Sequence, residues 1–437
     1  MIKNELIPPS SNSLGTFLPL RTKDRHYKFK WDTVLGYFVQ SLYGQSSITT
    51  SFDEFEALCK ARFSGKLDEP DFWFVLQDMY FRKDQVYKIA PELLAFKASK
   101  NDIDANSKKL GDMFLALLNG FTVKSDVKQR LNFIEQEIKS EFDRYRSEQK
   151  PKKNSGNEAC PYLPYLTDKF QTDLSFLSKR PHYLVNNFDA VIRLYGFLYP
   201  AQLALNIKDW SNGEPSPKPC FFIIDNEKAS EERSMVKSYG YSQLNEYLEY
   251  LFPYLVMNES IQDKQSVKPL WDLFQNLSAK DVEDLNAYGH AYAQDRNERK
   301  LYNINQGWQN SDNPKEVVNQ LLDLSYKQFD KKVGRLTIYN DTAVKGVLQS
   351  LCSPFIQRRG RAGQVLTFNQ DYLVLLTNLA IGERDKLRLH ELIVEFENRG
   401  VFFDKQTQQN LVDFYERMGN VERMSDSGDA VYVRKTV

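Results

Sequence analysis

The sequence has no surplus of charge, no long apolar run and little thiol or imidazole chemistry. Lys and Arg number 58 and Asp and Glu number 58, so the net charge is zero. Binding of nucleic acid by bulk charge is thereby excluded, and any such contact must come from a local patch. No stretch approaches the about 18 apolar residues of a membrane span. The opening MIKNELIPPSS lacks the apolar centre and small-residue cleavage site of a secretory signal. Cys59, Cys160, Cys220 and Cys352 stand far apart, so neither a CxxC metal site nor a local disulfide framework is expected. A soluble protein of the reducing cytoplasm is the expectation. His26, His182, His290 and His390 are scattered, and no catalytic triad can be assembled from their spacing. In HELIV, Val394 stands where a zinc-peptidase helix needs its second histidine, and GxSxG does not occur. No metal and no cofactor are expected.

What is present is mostly helical pattern. A length of 437 residues allows roughly two to four domains. In SFDEFEALCKARFSG, Ser51 and Glu54 form a capping-box pair, Phe52, Phe55, Cys59 and Phe63 recur at helical steps, and Gly65 can end the helix. KKLGDMFLALLNG repeats the design with Leu110, Met113, Phe114, Leu117 and Leu118, and Gly120 as its stop. The most regular stretch is SDVKQRLNFIEQEIKSEFDRYRSEQ. Val127, Leu131, Ile134, Ile138, Phe142 and Tyr145 draw one narrow apolar seam along a charged helix. Such a seam packs inside its own domain or docks another protein. Leu131, Ile134, Ile138 and Phe142 are the residues that would carry the docking.

Residues 147–164 are polar, rich in Lys, Asn, Gly and Pro, and without periodicity, as a linker would be. The expected domains are 1–148, 165–350 and 351–437. The middle one is helical, with breaks or kinks at Pro200 and Pro253, and a helix started by Asn313 and Pro314. Its one strand candidate is CFFII, residues 220–224. Toward the end come three helical stretches, NQDYLVLLTNLAIG, DKLRLHELIVEFENRG and DKQTQQNLVDFYERMG. In the second, Leu387, Leu389, Leu392, Ile393 and Phe396 are the expected buried side. VERMSDSGDAVYVRK then reads as a hairpin. Three helices and a hairpin follow the order of a winged helix. The expected fold is therefore mainly α, a multi-helix body with a winged-helix-like C-terminal domain.

Three kinds of site compete. Residues 357–363, QRRGRAG, resemble the last arginine-rich motif of superfamily 2 helicases. A helicase also needs a phosphate-cradling loop ending in Gly-Lys-Ser/Thr, and the one Gly-Lys pair, Gly65-Lys66, is followed by Leu67. Gly360-Arg-Ala-Gly363 also has the spacing of a KH clamp, without that fold's flanks. What remains is a set of guanidinium groups, Arg358, Arg359 and Arg361, suited to phosphate contact or to a solvated loop. In a winged helix the third helix enters the major groove; here it offers Lys405, Gln406, Gln408, Gln409 and Asn410, with Arg423, Arg434 and Lys435 on the wing. Against DNA contact, residues 369–437 hold nine basic and twelve acidic side chains, a balance that suits a protein-docking module as well. Asp225, Glu227 and Lys228 follow the strand candidate, but a nuclease site wants the acid and lysine two apart, and adjacent residues point to opposite faces.

Three passages, FLPLRTKDRHYKFKWDTVLGYFVQSLY, RGRAGQVLTFNQDYLVLLTNL and RGVFFDKQ with SDSGDAVYVRK, resemble the DptG family of DNA phosphorothioation-dependent restriction proteins. The resemblance implies a bacterial defence system that restricts DNA lacking backbone sulfur. It implies partner proteins of the DptF and DptH kinds, which would carry the ATPase and DNA-processing activities, and it brings no catalytic residues to this chain. The expectation is a non-catalytic subunit bridging those partners, its winged helix and arginine loop contacting double-stranded DNA or a partner. The alternative is a stand-alone winged-helix regulator.

Overall fold

The computed structural model describes residues 2–15, 29–44, 51–98, 104–124, 131–148, 160–229, 232–263, 267–424 and 430–437. The chain divides into two units, each discontinuous in sequence. The smaller contains Phe29–Gly156 and Phe170–Arg193, with Val437; the larger contains Met1–Lys28, Asn157–Lys169 and Leu194–Thr436. This corrects the expectation of three consecutive domains. The reason is strand pairing: the strand assigned to the middle domain is completed by strands from the expected third one. Of the expected linker, residues 149–159 lie outside the described residues.

In the smaller unit, α1 (Trp31–Leu42) and α2 (Phe52–Ser64) are followed by α3 (Phe72–Leu76), which continues directly into a π-helical turn, Gln77–Arg82. Then come α4 (Val86–Ile89), a 3-10 helix (Pro91–Lys97), α5 (Ala105–Leu118) and α6 (Phe133–Glu148). The helices α7 (Pro164–Ser178) and α8 (Pro181–Asn206) contribute residues to both units. The capping box of α2 forms as the sequence predicts: the Ser51 hydroxyl accepts from the Glu54 N–H at 3.2 Å, and the Glu54 carboxylate accepts from the Ser51 N–H at 2.9 Å. Helix α1 meets the 3-10 helix so closely that a Cβ on Gly36 would lie 2.3 Å from the Ala98 nitrogen.

Aromatic rings fill this unit. Phe38 sits 5.6–5.7 Å from Phe114, Phe170 and Phe188. Phe55 and Phe96 stack at 4.7 Å, and Phe142 from α6 meets them at 6.0 and 5.6 Å. The seam of α6 is thereby accounted for. Leu131, Ile138, Phe142 and Tyr145 are buried and Ile134 is half-buried, while Val127 lies outside the described residues. The seam is core of its own unit, the first of the two readings its pattern allowed, so Leu131, Ile138 and Phe142 are not open for docking a partner.

In the larger unit, residues 2–15 run along helices that come much later in the chain. Lys3 Nζ donates to the Ser260 carbonyl at 2.7 Å, and Arg296 donates to the Pro9 carbonyl at 3.0 Å. After β1 (Phe221–Ile224) come α9 (Ser234–Tyr239), α10 (Tyr241–Ser260), α11 (Leu270–Gln275), α12 (Ala279–Glu298), α13 (Pro314–Lys327) and α14 (Thr337–Ser350). Asn313 caps α13 through a 3.0 Å bond from the Lys315 N–H, with Pro314 in the first turn. Neither expected break occurs, since α8 runs through Pro200 and α10 through Pro253. Proline at 253 cannot donate to the carbonyl four residues back, Glu249. That carbonyl instead accepts from Asn340 Nδ2 at 2.7 Å. We expect Asn340→Ala to cost about 1–3 kcal/mol by orphaning it, with some offset because Asn340 Oδ1 has no partner. Adding Pro253→Ala restores the N–H and should recover most of the loss, read as urea midpoints at constant m.

The strand β1 is buried along its whole length. It lies parallel to β3 (Gln364–Phe368) on one side and to β5 (Phe402–Phe403) on the other, and β2 (Ile356–Arg358) pairs antiparallel with β3, giving the order β2-β3-β1-β5. A strand buried on both faces reads as a continuous apolar run, as CFFII does. The remaining elements are α15 (Gln370–Ile381), β4 (Lys386–Arg388), α16 (Leu389–Glu397), α17 (Lys405–Met418), β6 (Val421–Met424) and β7 (Ala430–Arg434). Their sheet has the antiparallel order β4-β7-β6. The fold is mainly α, and its last segment has the helix order and strand pairing of a winged helix. One detail differs from the sequence reading: residues 386–388 are a strand rather than the start of a helix. Leu387 is buried there, paired with Val433. Among the described residues no helix is long and apolar enough to cross a membrane.

Candidate nucleic-acid interface

The site grows from the end of β1. The Asp225 N–H donates to the Phe368 carbonyl at 3.0 Å, which carries the sheet one residue further. The chain then turns, and Glu227 folds back so that its carboxylate accepts from the Ile224 N–H at 2.9 Å. Arg233 binds the same carboxylate at 2.6 Å and donates through Nε to Asp404 at 2.9 Å. Its Nη2 reaches Asp404 and Thr407 as well. Thr407 donates to Glu227 at 3.1 Å, and Asp404 caps α17 by accepting from the Thr407 N–H at 2.9 Å. Burial pushes the Asp404 carboxyl up, but the Arg233 and Thr407 hydrogen bonds outweigh it and hold the group below its ordinary value. This buried group fastens the start of α17 to the loop at 225–229. It also commits Glu227, once weighed as a metal ligand, to Arg233. No group of three or more His, Cys, Asp or Glu side chains able to hold a metal occurs among the described residues.

On the other side of that loop lies the arginine segment, which is the turn of the β2–β3 hairpin. The Arg359 N–H donates to the Gly363 carbonyl at 2.7 Å, and Gly360 and Gly363 take positive φ of 46° and 74°. The three arginines part company here. Arg359 is half-buried and its guanidinium binds the Asp225 carbonyl, so it holds the hairpin to the loop. Arg358 and Arg361 are exposed, with no hydrogen bond or ion pair from their side chains among the described residues. Ala362 and Ala229 pack together on Phe221, Ile223, Val236 and Val365, which fixes the hairpin tip against the same loop.

An open groove of about 740 Å³ separates the loop from α17, lined by Asn226, Glu227 and Lys228 on one wall and Gln406, Asn410, Asp413, Glu416 and Arg417 on the other. Lys228, Lys405 and Gln409 are exposed, and neither lysine is ion-paired among the described residues. The other expected DNA contacts have prior engagements. Gln408 donates its side-chain amide to the Phe403 carbonyl at 2.9 Å. Arg423 pairs with Glu416, and Arg434 shares Glu422 with Lys386. Lys435 donates to the Arg384 carbonyl at 2.6 Å. Among the described residues, the unpaired cations of this set thus gather at the hairpin tip, the loop and the first turn of α17, while Arg423 is paired with Glu416 of α17 and Arg434 with Glu422 of β6. Sequence reasoning found the arginines and Lys405 but gave Lys228 no part in binding. It missed the Glu227–Arg233–Asp404–Thr407 group entirely, because Arg233 and Asp404 are 171 residues apart.

The chain matches no protein-family model, and no curated protein matches it significantly.

Proposed function

We propose that this chain is a non-catalytic, DNA-contacting subunit of a bacterial phosphorothioation-dependent restriction complex, working with partners of the DptF and DptH kinds. The class of complex is taken from the resemblance of both ends of the sequence to the DptG family. The contact with DNA is supported by one observation: the loop at 225–229 joins two free arginines of a hairpin to the first turns of a winged helix's third helix. Winged helices present the N-terminal part of that helix to the major groove. In α17 that part carries Lys405, Gln406, Gln409 and Asn410, and the acids Asp413 and Glu416 come later. Arg358 and Arg361 would meet phosphate, with Lys228 between them and the helix.

Each phosphate contact contributes about 0.9 to the slope of log affinity against log salt. We therefore expect Arg358→Ala with Arg361→Ala to lower that slope by about 2 on a short duplex, with the melting temperature unchanged. Arg434→Ala, which removes an already neutralised cation, should leave the slope nearly as it was. An unchanged slope in the double variant would remove the hairpin from the interface. Failure to co-purify with the neighbouring gene products would remove the complex. ATP turnover or strand cleavage by the pure chain, lost on a point change in it, would end the non-catalytic reading.

A further inference from the structure

Residues 72–82, α3 and its π-helical continuation, are apolar on every side over most of their length. Trp73, Leu76, Tyr80 and Phe81 are buried in the smaller unit. Phe72, Val75 and Met79 recur one position earlier, at steps of three and four, and form a second stripe that stays 45–48% exposed. Phe74 is 58% exposed beside it. Phe133 is 59% exposed, and the neighbouring Asn132 donates to the Tyr80 hydroxyl at 3.2 Å. A helix that is apolar all round is normally covered all round. Single exposed apolar residues are ordinary, but a contiguous set marks an interaction surface, and π turns recur at functional sites.

Charge says what kind of partner fits. Lys66 lies over the Phe133 ring and is paired with Glu137 at 2.6 Å, and Lys83 is paired with Asp78 at 2.8 Å. Lys60 rests over the Phe74 ring, and Arg82 donates to Gln77. Just before the stripe, Asp68, Glu69 and Asp71 are exposed and have no ion pair among the described residues. Three exposed carboxylates without an ion pair among the described residues therefore precede the stripe, against the cation of Lys60, also without an ion pair, over Phe74.

We propose that this stripe receives an amphipathic helix of a partner protein, its apolar face on Phe72, Val75 and Met79 and its Lys- or Arg-rich end against Asp68, Glu69 and Asp71. The site belongs to the smaller unit and stands independently of the DNA contact. It takes the place of the α6 seam as the apolar surface left open.

The test uses the full chain and a fluorescein-labelled peptide of about 18 residues, long enough to form a helix, with leucines on one face and lysines beside them. Its control carries glutamates in place of the lysines. Saturable binding of the lysine peptide and none of the control is expected by fluorescence anisotropy. Val75→Asp with Met79→Asp should weaken it by at least about tenfold, with an unchanged melting curve. Neutralising the rim by Asp68→Asn, Glu69→Gln and Asp71→Asn should weaken it about fivefold and flatten its salt dependence. Those three positions lie outside the apolar stripe, so this variant keeps the test decisive if the first one fails to fold. Undiminished binding in the variants, or equal binding of the control, would overturn the proposal. A dimer in sedimentation that Val75→Asp with Met79→Asp dissolves would also overturn it, since the face would then serve a second copy of the chain.

Discussion

Arg233→Ala is expected to destabilise the larger unit by about 3–5 kcal/mol, the range for removing one partner of a buried ion pair. The guanidinium serves two carboxylates, Glu227 and Asp404, and the Arg233 and Glu227 side chains are only 4% and 2% exposed. Without it both acids keep their burial and lose their counter-charge. Replacing the whole group by neutral side chains of similar shape should cost less than the single change, because the charges then disappear together. Urea unfolding at neutral pH measures both. The pH dependence has a definite sign. Asp404 titrates below its ordinary value when folded, so the carboxylate stabilises the fold above about pH 4. That contribution fades as the pH falls through the folded value. In Arg233→Ala it is largely absent from the start, so the acid limb of its stability profile should be flatter than that of the parent. The variant should also loosen the hairpin from α17, since the loop between them loses its anchor to the helix.

Ile138→Asp is expected to unfold the smaller unit of the isolated protein. Removing a fully buried Ile side chain costs about 2–5 kcal/mol, and an unpaired buried carboxylate adds several more. The sum is comparable to the roughly 5–15 kcal/mol that holds a whole domain. Val75→Asp applies the same chemistry to an exposed position and should change stability by no more than about 0.5 kcal/mol. Thermal melts of the two single variants, with limited proteolysis to locate the unfolded part, separate core from open surface. Equal melting of both would mean that the α6 seam is not held as described.

What could be read from the sequence was what depends on neighbours a few residues away. The Ser51–Glu54 box and the Asn313 cap with Pro314 each complete themselves within three positions. The apolar run CFFII marked a strand, and Phe221–Ile224 forms one, buried throughout. What failed was decided at a distance. Of the break or kink expected at Pro253 the break does not occur, and Asn340 supplies the missing donor from 91 residues away. Leu387, Leu389 and Leu392 fit a helical period, yet Leu387 turns inward from a strand because Val433 pairs with it. The α6 seam looked the same whether its partner was internal or not, and only Phe55 and Phe96 settle the matter. In the interface the cations were legible as residue types. Which of them are free was not, because neutralisation of Arg423 and Arg434 depends on where Glu416 and Glu422 fall.

The early segment that lies along late helices sets a schedule for biosynthesis. Pro9 leaves the ribosome 287 residues before Arg296, the side chain that binds its carbonyl. At about 5–20 residues per second, the wait is roughly 15–60 s. The nascent larger unit can close only once Phe402 and Phe403 have been made and cover the second edge of β1. Chains released before that point expose an apolar strand edge, and aggregation of such fragments is the outcome that their topology favours.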